Sequence, residues 1–198
     1  MAVKFNNRRR LFVFAVMLVI FSAAVIYFSP YQSHKAFAYK LVQHTIEIDA
    51  PVETVFQFLG NSANASQWSV FVNHITALNE SEFADGVVGS RRRCFCNADE
   101  KGRQWDELIT ENMSNTKRQL EIYNLQEFPM TANHLATEQL YKKISNNKSS
   151  ITFTVFFTNA KPSFAETIKM YIAAYRIKSI FKKNMFNIKQ VIEKKKYG

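Results

Sequence analysis

Val42-Gln-His-Thr-Ile-Glu-Ile-Asp-Ala-Pro-Val-Glu-Thr-Val-Phe-Gln-Phe-Leu-Gly60 is the stretch whose reading decides the fold. Val42, His44, Ile46 and Ile48 alternate with Gln43, Thr45, Glu47 and Asp49, the period-two pattern of a strand with one wet face. Pro51 fixes φ near helical values where no backbone donor is needed, so it can open a helix. Asp49 and Glu53 place negative charge at that N-terminus, which suits the helix dipole. Val52, Val55, Phe56 and Leu59 then fall at i, i+3, i+4 and i+7, one apolar stripe facing a core. Gly60 supplies a stop. A half-buried strand thus turns straight into a short amphipathic helix, and Trp68 follows.

The string Ile46 to Leu59, with Trp68 after it and Gly86-Val-Val-Gly89-Ser downstream, resembles the opening of the START/Bet v 1-like (SRPBCC) superfamily, also described as polyketide cyclase/dehydrase and lipid-transport domains. The resemblance would cover Val42 to about Glu193. It implies a curved antiparallel sheet wrapped around a long C-terminal helix, with an apolar cavity between them. It implies a fold and a cavity rather than one reaction.

The rest of the chain carries the elements such a domain needs. Val70 to Leu78 is β-branched and apolar enough for a strand, and Asn79 to Gly86 is a turn-rich acidic loop. Val87–Asn97 and Arg103–Glu111 read as a strand pair joined at Ala98-Asp-Glu-Lys-Gly102, where Gly102 can take the left-handed conformation of a hairpin loop. Lys117–Gln126 is a further strand. Asn133–Ser145 and Ser149–Asn159 form a hairpin around Asn146-Asn147-Lys148. In its second strand Ile151, Phe153, Val155 and Phe157 share one face and Thr152, Thr154 and Thr158 the other. From Pro162 or Ser163 to about Glu193 no Pro or Gly interrupts a helical pattern carried by Phe164, Ile168, Tyr171 and Tyr175, then Ile177, Phe181, Ile188 and Val191. At about 45 Å this helix is longer than a small sheet needs, which predicts that its C-terminal half overhangs. The expected class is α+β: a helix-grip domain over 41–198, with a sheet of six or seven strands.

Ahead of that domain, Lys4 and Arg8-Arg9-Arg10 precede Leu11–Phe28, eighteen residues interrupted only by Ser22. This reaches the length of a membrane-spanning helix and exceeds a signal-peptide core. A cleaved signal is the competing reading, with Ala36-Phe37-Ala38 as its site, although that site lies well past the apolar run. The expectation is a basic N-terminus (1–10), an uncleaved anchor (11–28) and a short tether (29–40). Basic residues concentrate before the segment, which places the N-terminus in the cytoplasm and the domain on the far side, the periplasm in a bacterium. The net charge of +10 is unevenly spread: residues 1–40 carry +6, residues 41–160 carry −4 and residues 161–198 carry +8. A nucleic-acid protein concentrates charge on the folded face that grips phosphate, so the acidic body argues against that partner. Basic ends beside an apolar segment fit an anionic membrane surface, with Lys182, Lys183, Lys189, Lys194, Lys195 and Lys196 as its candidate contacts.

Little in the chain points to catalysis. Cys94 and Cys96 sit two apart in a strand, on one face, and read as small core residues. The four histidines are scattered without a ligand pair, so no metal is expected, nor any cofactor. Adjacent Asp106 and Glu107 point to opposite faces of their strand, so they cannot work together as acid and base. One of them, paired with Arg91 or Arg93, could orient a polar head group or cross-link the sheet. The lining expected for the cavity is Trp68, Phe71, Trp105, Phe153, Phe157, Tyr171 and Tyr175, with Arg91, Arg93, Glu107 and Tyr123 as polar candidates. The leading expectation is a membrane-anchored module binding a lipid, quinone or polyketide-like molecule. The alternatives are a cyclase/aromatase-like enzyme using the same cavity and an interaction domain with a closed core.

Overall fold

The computed structural model describes residues 7–35, 37, 39–128, 132–158 and 162–194. Its first element is α1 (Asn7–Phe28), 22 residues of which none is buried. At 1.5 Å per residue it is about 33 Å long, and by length and composition it can cross a membrane. There follow β1 (Gln32–Ser33), β2 (Lys40–Ile48), α2 (Val52–Gly60), a single turn at Ser62–Asn64, and α3 (Ala65–Trp68). Then come β3 (His74–Ala77), β4 (Arg91–Phe95), β5 (Gln104–Met113), β6 (Lys117–Gln126), β7 (Leu135–Ser145), β8 (Lys148–Phe157) and α4 (Phe164–Lys194).

The strands make one antiparallel sheet in the order β1-β2-β8-β7-β6-β5-β4-β3. Every pairing joins consecutive strands except β2–β8, where the end of the meander returns to its beginning. Because β3 starts at the opposite edge from β2, the chain between them must cross one face of the sheet. That crossing consists of α2 and α3. In β5 the register shifts at Gln104/Asp106 and again at Ile109/Glu111, and such bulges bend a strand.

The core forms where this crossing meets α4. Val52, Val55, Phe58 and Leu59 of α2 pack with Ile48, Ile151 and Phe153 of the sheet and with Met185, Ile188 and Ile192 of α4. The sequence stripe on α2 is therefore correct except that Phe58 is buried and Phe56 only half so. A second cluster joins Val42, Val155 and Phe157 to Met170, Tyr171 and Ala174, nearer the start of α4. The start of that helix is a capping box. Glu166 N–H donates to Ser163 Oγ, while Ser163 N–H donates to Glu166 Oε2 at 3.0 Å. Asn133 N–H donates to the other carboxylate oxygen at 2.9 Å, tying the approach to β7 to the helix start. The bonds from Asn133 N–H, the Ser163 hydroxyl and Ser163 N–H hold the Glu166 carboxyl down at about 2.

Four expectations need correction. The sheet has eight strands, because β1 adds a two-residue edge, and β3 is only four residues of the longer strand expected at Val70–Leu78. The C-terminal half of α4 does not overhang: Asn184, Met185, Ile188 and Ile192 are all buried, since the sheet is long enough to carry the helix to its end. The outer face of β8 is not simply wet. Thr154 is fully buried and Phe156 nearly so, the latter packed with Leu41 and Ala136 under Phe37 and Tyr39.

Those last two aromatics belong to the presumed tether, which is the fourth correction. Tyr31 is only 4 % exposed, between Phe157 and Tyr171 at ring-centroid distances of 6.3 and 5.4 Å. Ser29 Oγ donates to the Tyr171 carbonyl at 2.8 Å and accepts from Tyr31 N–H. The described residues of this segment thus straddle the β2 edge, with Tyr31 inside the domain and Phe37 and Tyr39 against its outer face. Ala36 and Ala38 of the alternative cleavage site lie outside the described residues.

Replacing Tyr31 by Ala is expected to destabilise the domain by about 3 kcal/mol, which for a chain of this size lowers the melting temperature by about 6–12 °C. A segment acting only as a tether would leave the melting curve unmoved. The Glu166→Gln variant should lose about 1 kcal/mol at neutral pH, the ordinary value of a cap. Because the folded pKa is depressed, that contribution is present above the ordinary carboxylate value of 4.5 and is lost as pH falls through about 2. Denaturant melts of the two proteins should therefore differ at pH 7 and converge between those two values.

Candidate functional site

Strand alternation divides the sequence candidates between the two faces of the sheet. β4 and β5 pair with Arg92 opposite Glu107 and Arg93 opposite Asp106. Arg92 and Glu107 face the helical layer: Arg92 Nε donates to Glu107 Oε2 at 2.8 Å, and its Nη1 donates to Ser62 Oγ in the turn after α2. The Trp105 indole donates to the other Glu107 oxygen at 3.0 Å. Both charges are buried. Burial alone would push the Arg92 guanidinium down, but Glu107 outweighs it and the pKa is raised.

Arg93 and Asp106 form a separate pair on the outer face, bidentate at 2.6 and 2.9 Å. Burial raises the Asp106 carboxyl, while Arg93 and the Asn124 amide pull it further down, to a net value below the ordinary range. So Glu107 lies inward as expected, but its partner is Arg92. Arg91 and Arg93 are not inward. Arg91 is exposed, and Tyr123 also lies on the outer side at the register of Asp106. Both acids are tied into the sheet, which leaves neither as a free acid or base.

The expected aromatic lining is real as packing, apart from one residue. Trp68 stands edge-on to Phe153, and Phe153 edge-on to Phe181 of α4. Phe71 stacks on Trp105 at 5.7 Å. Phe157 and Tyr171 fill the second cluster around Tyr31. Tyr175 is instead 44 % exposed, and its hydroxyl donates to the Val25 carbonyl near the end of α1. Trp68, Phe153, Phe157 and Tyr171 pack into the two core clusters between sheet and helix, whereas Phe71 and Trp105 pack with Phe128 apart from α4.

Open space lies beside α4 instead. A groove of about 590 Å³ is bordered by His44 and Ile46 of β2, by Val70 after α3, and by Lys182, Lys183 and Phe186 of α4. Two amides of α4 set its wall: Asn184 Oδ1 accepts from Val70 N–H at 2.8 Å, and Asn187 Nδ2 donates to the Trp68 carbonyl at 3.0 Å. Val70 and Phe186 leave large apolar surfaces uncovered. Burial, then the charges of Lys178 and Lys182, lowers the His44 pKa, so it stands neutral at pH 7. Lys178 itself reaches the Gln43 carbonyl, and its pKa is lowered by burial. Lys189 is engaged by the Glu47 carbonyl and Glu193, and Lys194 is exposed in the last turn of α4. Lys195 and Lys196 lie outside the described residues.

Cys94 and Cys96 are free, and burial pushes the Cys94 thiol well above its ordinary value, which makes it inert. Among the described residues no group of three His, Cys, Asp or Glu side chains could hold a metal ion.

No protein-family model and no curated protein matches the chain. Solved structures do match it. A protein from Thermobifida fusca superposes with a TM-score of 0.58 at 13 % identity, covering 78 % of this chain and 93 % of that one. Norcoclaurine synthase from Thalictrum flavum, solved with dopamine and hydroxybenzaldehyde, gives 0.56 at 10 % identity over 78 % and 87 %. The di-domain aromatase/cyclase BexL, of the BE-7585A biosynthetic pathway, gives 0.52 at 11 % over 73 % and 46 %. The chain is thus an α+β helix-grip domain preceded by one apolar helix, and the resemblance read from Ile46–Leu59 holds at the level of fold.

Glu107→Ala is expected to cost about 3–5 kcal/mol, because it strands the Arg92 charge in a buried site. Arg91→Ala, on the exposed outer face, should stay within about 0.5 kcal/mol. Chemical denaturation of both variants checks the assignment of faces: equal losses would overturn it.

Proposed function

We propose that the protein is a membrane-tethered binding module that holds a hydrophobic small molecule with an acidic head in the groove between β2 and α4. The observation that carries this reading is the groove itself. Its volume falls in the usual range for small-molecule sites, about 300–1,000 Å³. Its apolar surface comes from Ile46, Val70 and Phe186, and its charged rim from Lys182 and Lys183. An aliphatic or aromatic body lies against the former while a carboxylate or phosphate meets the latter. The bound molecule sits beside α4 rather than inside the grip, because Met185 and Ile188 already close that interior.

The anchor reading is supported by the length and composition of α1 and by the absence of any buried residue along it, an apolar surface that a soluble domain would not leave uncovered. Arg8–Arg10 ahead of it favour a cytoplasmic N-terminus and a domain on the opposite, periplasmic side. Tyr175 on Val25 and Tyr31 in the core hold the domain close to the end of α1. Lys182 and Lys183 therefore stand where an anionic lipid surface also attracts them, at about 1 kcal/mol per charge. Solved helix-grip proteins include an aromatase/cyclase and a synthase, so an enzyme is the natural competitor. It needs an inward acid or base, and the inward acid here, Glu107, is consumed by Arg92 and Trp105.

Native mass spectrometry of the full chain released from detergent micelles tests this reading. A stoichiometric adduct of an acidic lipid, fatty acid or quinone-like molecule is expected on the unaltered protein. The adduct should fall at least about tenfold in a Lys182→Glu/Lys183→Glu double variant, whose altered side chains are both exposed. A clean apo mass, unmoved by a panel of such molecules, would instead favour the closed-core interaction domain.

A further inference from the structure

We infer that Arg118, at the far side of α2, is the centre of a second binding site, one for an oxyanion that carries an O–H, such as hydrogen phosphate or a phosphomonoester. The site shares no residue with the β2–α4 groove and does not depend on it.

Arg118 is only 2 % exposed, yet among the described residues no carboxylate lies within salt-bridge distance of it. Its Nη1 is spoken for, donating to Gln139 Oε1 at 3.2 Å and to the Tyr141 hydroxyl at 3.1 Å. The Tyr141 hydroxyl in turn donates to Gln139 Oε1 at 2.6 Å, so this end of the guanidinium is locked. The guanidinium carbon lies over the Phe56 ring, 4.5 Å from its centroid. Nε, by contrast, is buried with no partner at all. A buried charged donor left without a partner is expensive, and burial, with the charge of Arg92, lowers the Arg118 pKa despite the opposing pull of Tyr141 and Asp85.

Open space adjoins these donors. A cavity of about 460 Å³ borders Arg118, Gly60, Phe56, Asp85, Gly86 and Asn112. Gly60 keeps it open, because a Cβ there would come within 2.8 Å of Arg118 Nη2. Asn112 stands directly opposite Arg118 in the β5–β6 register, so the two side chains share a face. Its Nδ2 donates to the Gly86 carbonyl at 2.7 Å, while its Oδ1 is buried without a donor. The cavity's wall thus holds an unused guanidinium donor and an unused acceptor, both shielded from solvent by their neighbours. A fully ionised anion satisfies only the former; an oxyanion with one O–H satisfies both. Asp85 is the opposing charge. Both its oxygens are committed to Ser62, at 2.9 Å from the backbone N–H and 2.7 Å from the hydroxyl, and the same hydroxyl accepts from Arg92. It weakens an anion's hold without closing the site.

The test uses the full chain in zwitterionic nanodiscs with 15N-labelled arginine. The Arg118 Nε–H resonance is assigned by its absence in Arg118→Lys. Inorganic phosphate should move that resonance saturably, and sodium chloride at matched ionic strength should not. Gly60→Ala keeps the arginine and a helix-compatible backbone but fills the opening, and should weaken phosphate at least about tenfold. Asp85→Asn removes the repulsion and should tighten it several-fold. If phosphatidic acid in the disc moves the resonance and free phosphate does not, the same chemistry is met by a lipid headgroup. No movement with either source, or a titration unaltered by Gly60→Ala, would overturn the assignment.

Discussion

Everything else in the domain depends on the burial of one side of α4 against β2, β8 and α2. Met185 and Ile188 have no exposed surface, and neither do Ile48 and Ile151 across from them. Each buried side chain of this kind contributes about 1.5–3 kcal/mol through the water it releases. Because β2 and β8 are neighbours only by way of the closing pair Val42–Val155 and its continuation, the first and last thirds of the chain must meet before the core exists. The helices α2 and α3 are then trapped under α4, and Asn184 and Asn187 fasten the end of α3 by hydrogen bonds to Val70 N–H and the Trp68 carbonyl.

That closure explains where polar chemistry can and cannot sit. A helix packed along its whole length buries the side chains that face it, so Phe153, Phe157 and Tyr171 of the expected lining lie within the core clusters. Two open spaces lie at the margins of the packed layer. One runs beside α4, where lysines and apolar side chains alternate around the helix. The other lies beyond α2, where Gly60 and the Asn112–Arg118 pair prevent close packing. Both margins carry positive charge, but of different kinds. Lys182 and Lys183 are hydrated and screened by salt, whereas Arg118 is desolvated and its interactions are correspondingly stronger.

The segment after α1 has a structural part in the same closure. Tyr31 occupies the end of the grip near the start of α4, and Phe37 and Tyr39 cover Phe156 on the opposite face. A chain that straddles the β2 edge in this way also protects that edge, which would otherwise present unpaired backbone groups. The apolar helix and the domain are therefore mechanically joined: Ser29, Tyr31 and Tyr175 all connect the end of α1 to α4.

Local pattern alone determined the apolar first helix, the strand-to-helix turn at Asp49–Val52, the meander, the long final helix and the resemblance of fold. Each of these is written in periodicity, in Pro51 and Gly102, or in the uninterrupted pattern that starts at Pro162 or Ser163, all of which act within a few residues of themselves. What the sequence could not supply was register and fit. Closing the β4–β5 hairpin on Asn97 and Arg103 sets Arg93 opposite Glu107. In the structure Cys96 meets Arg103, Arg92 takes that place, and every side chain on β4 changes face. The groove beside α4 and the buried Arg118 with its unpaired Nε were equally invisible. A void, and a buried donor left without an acceptor, are properties of how separate elements approach one another, and only the tertiary structure decides that distance.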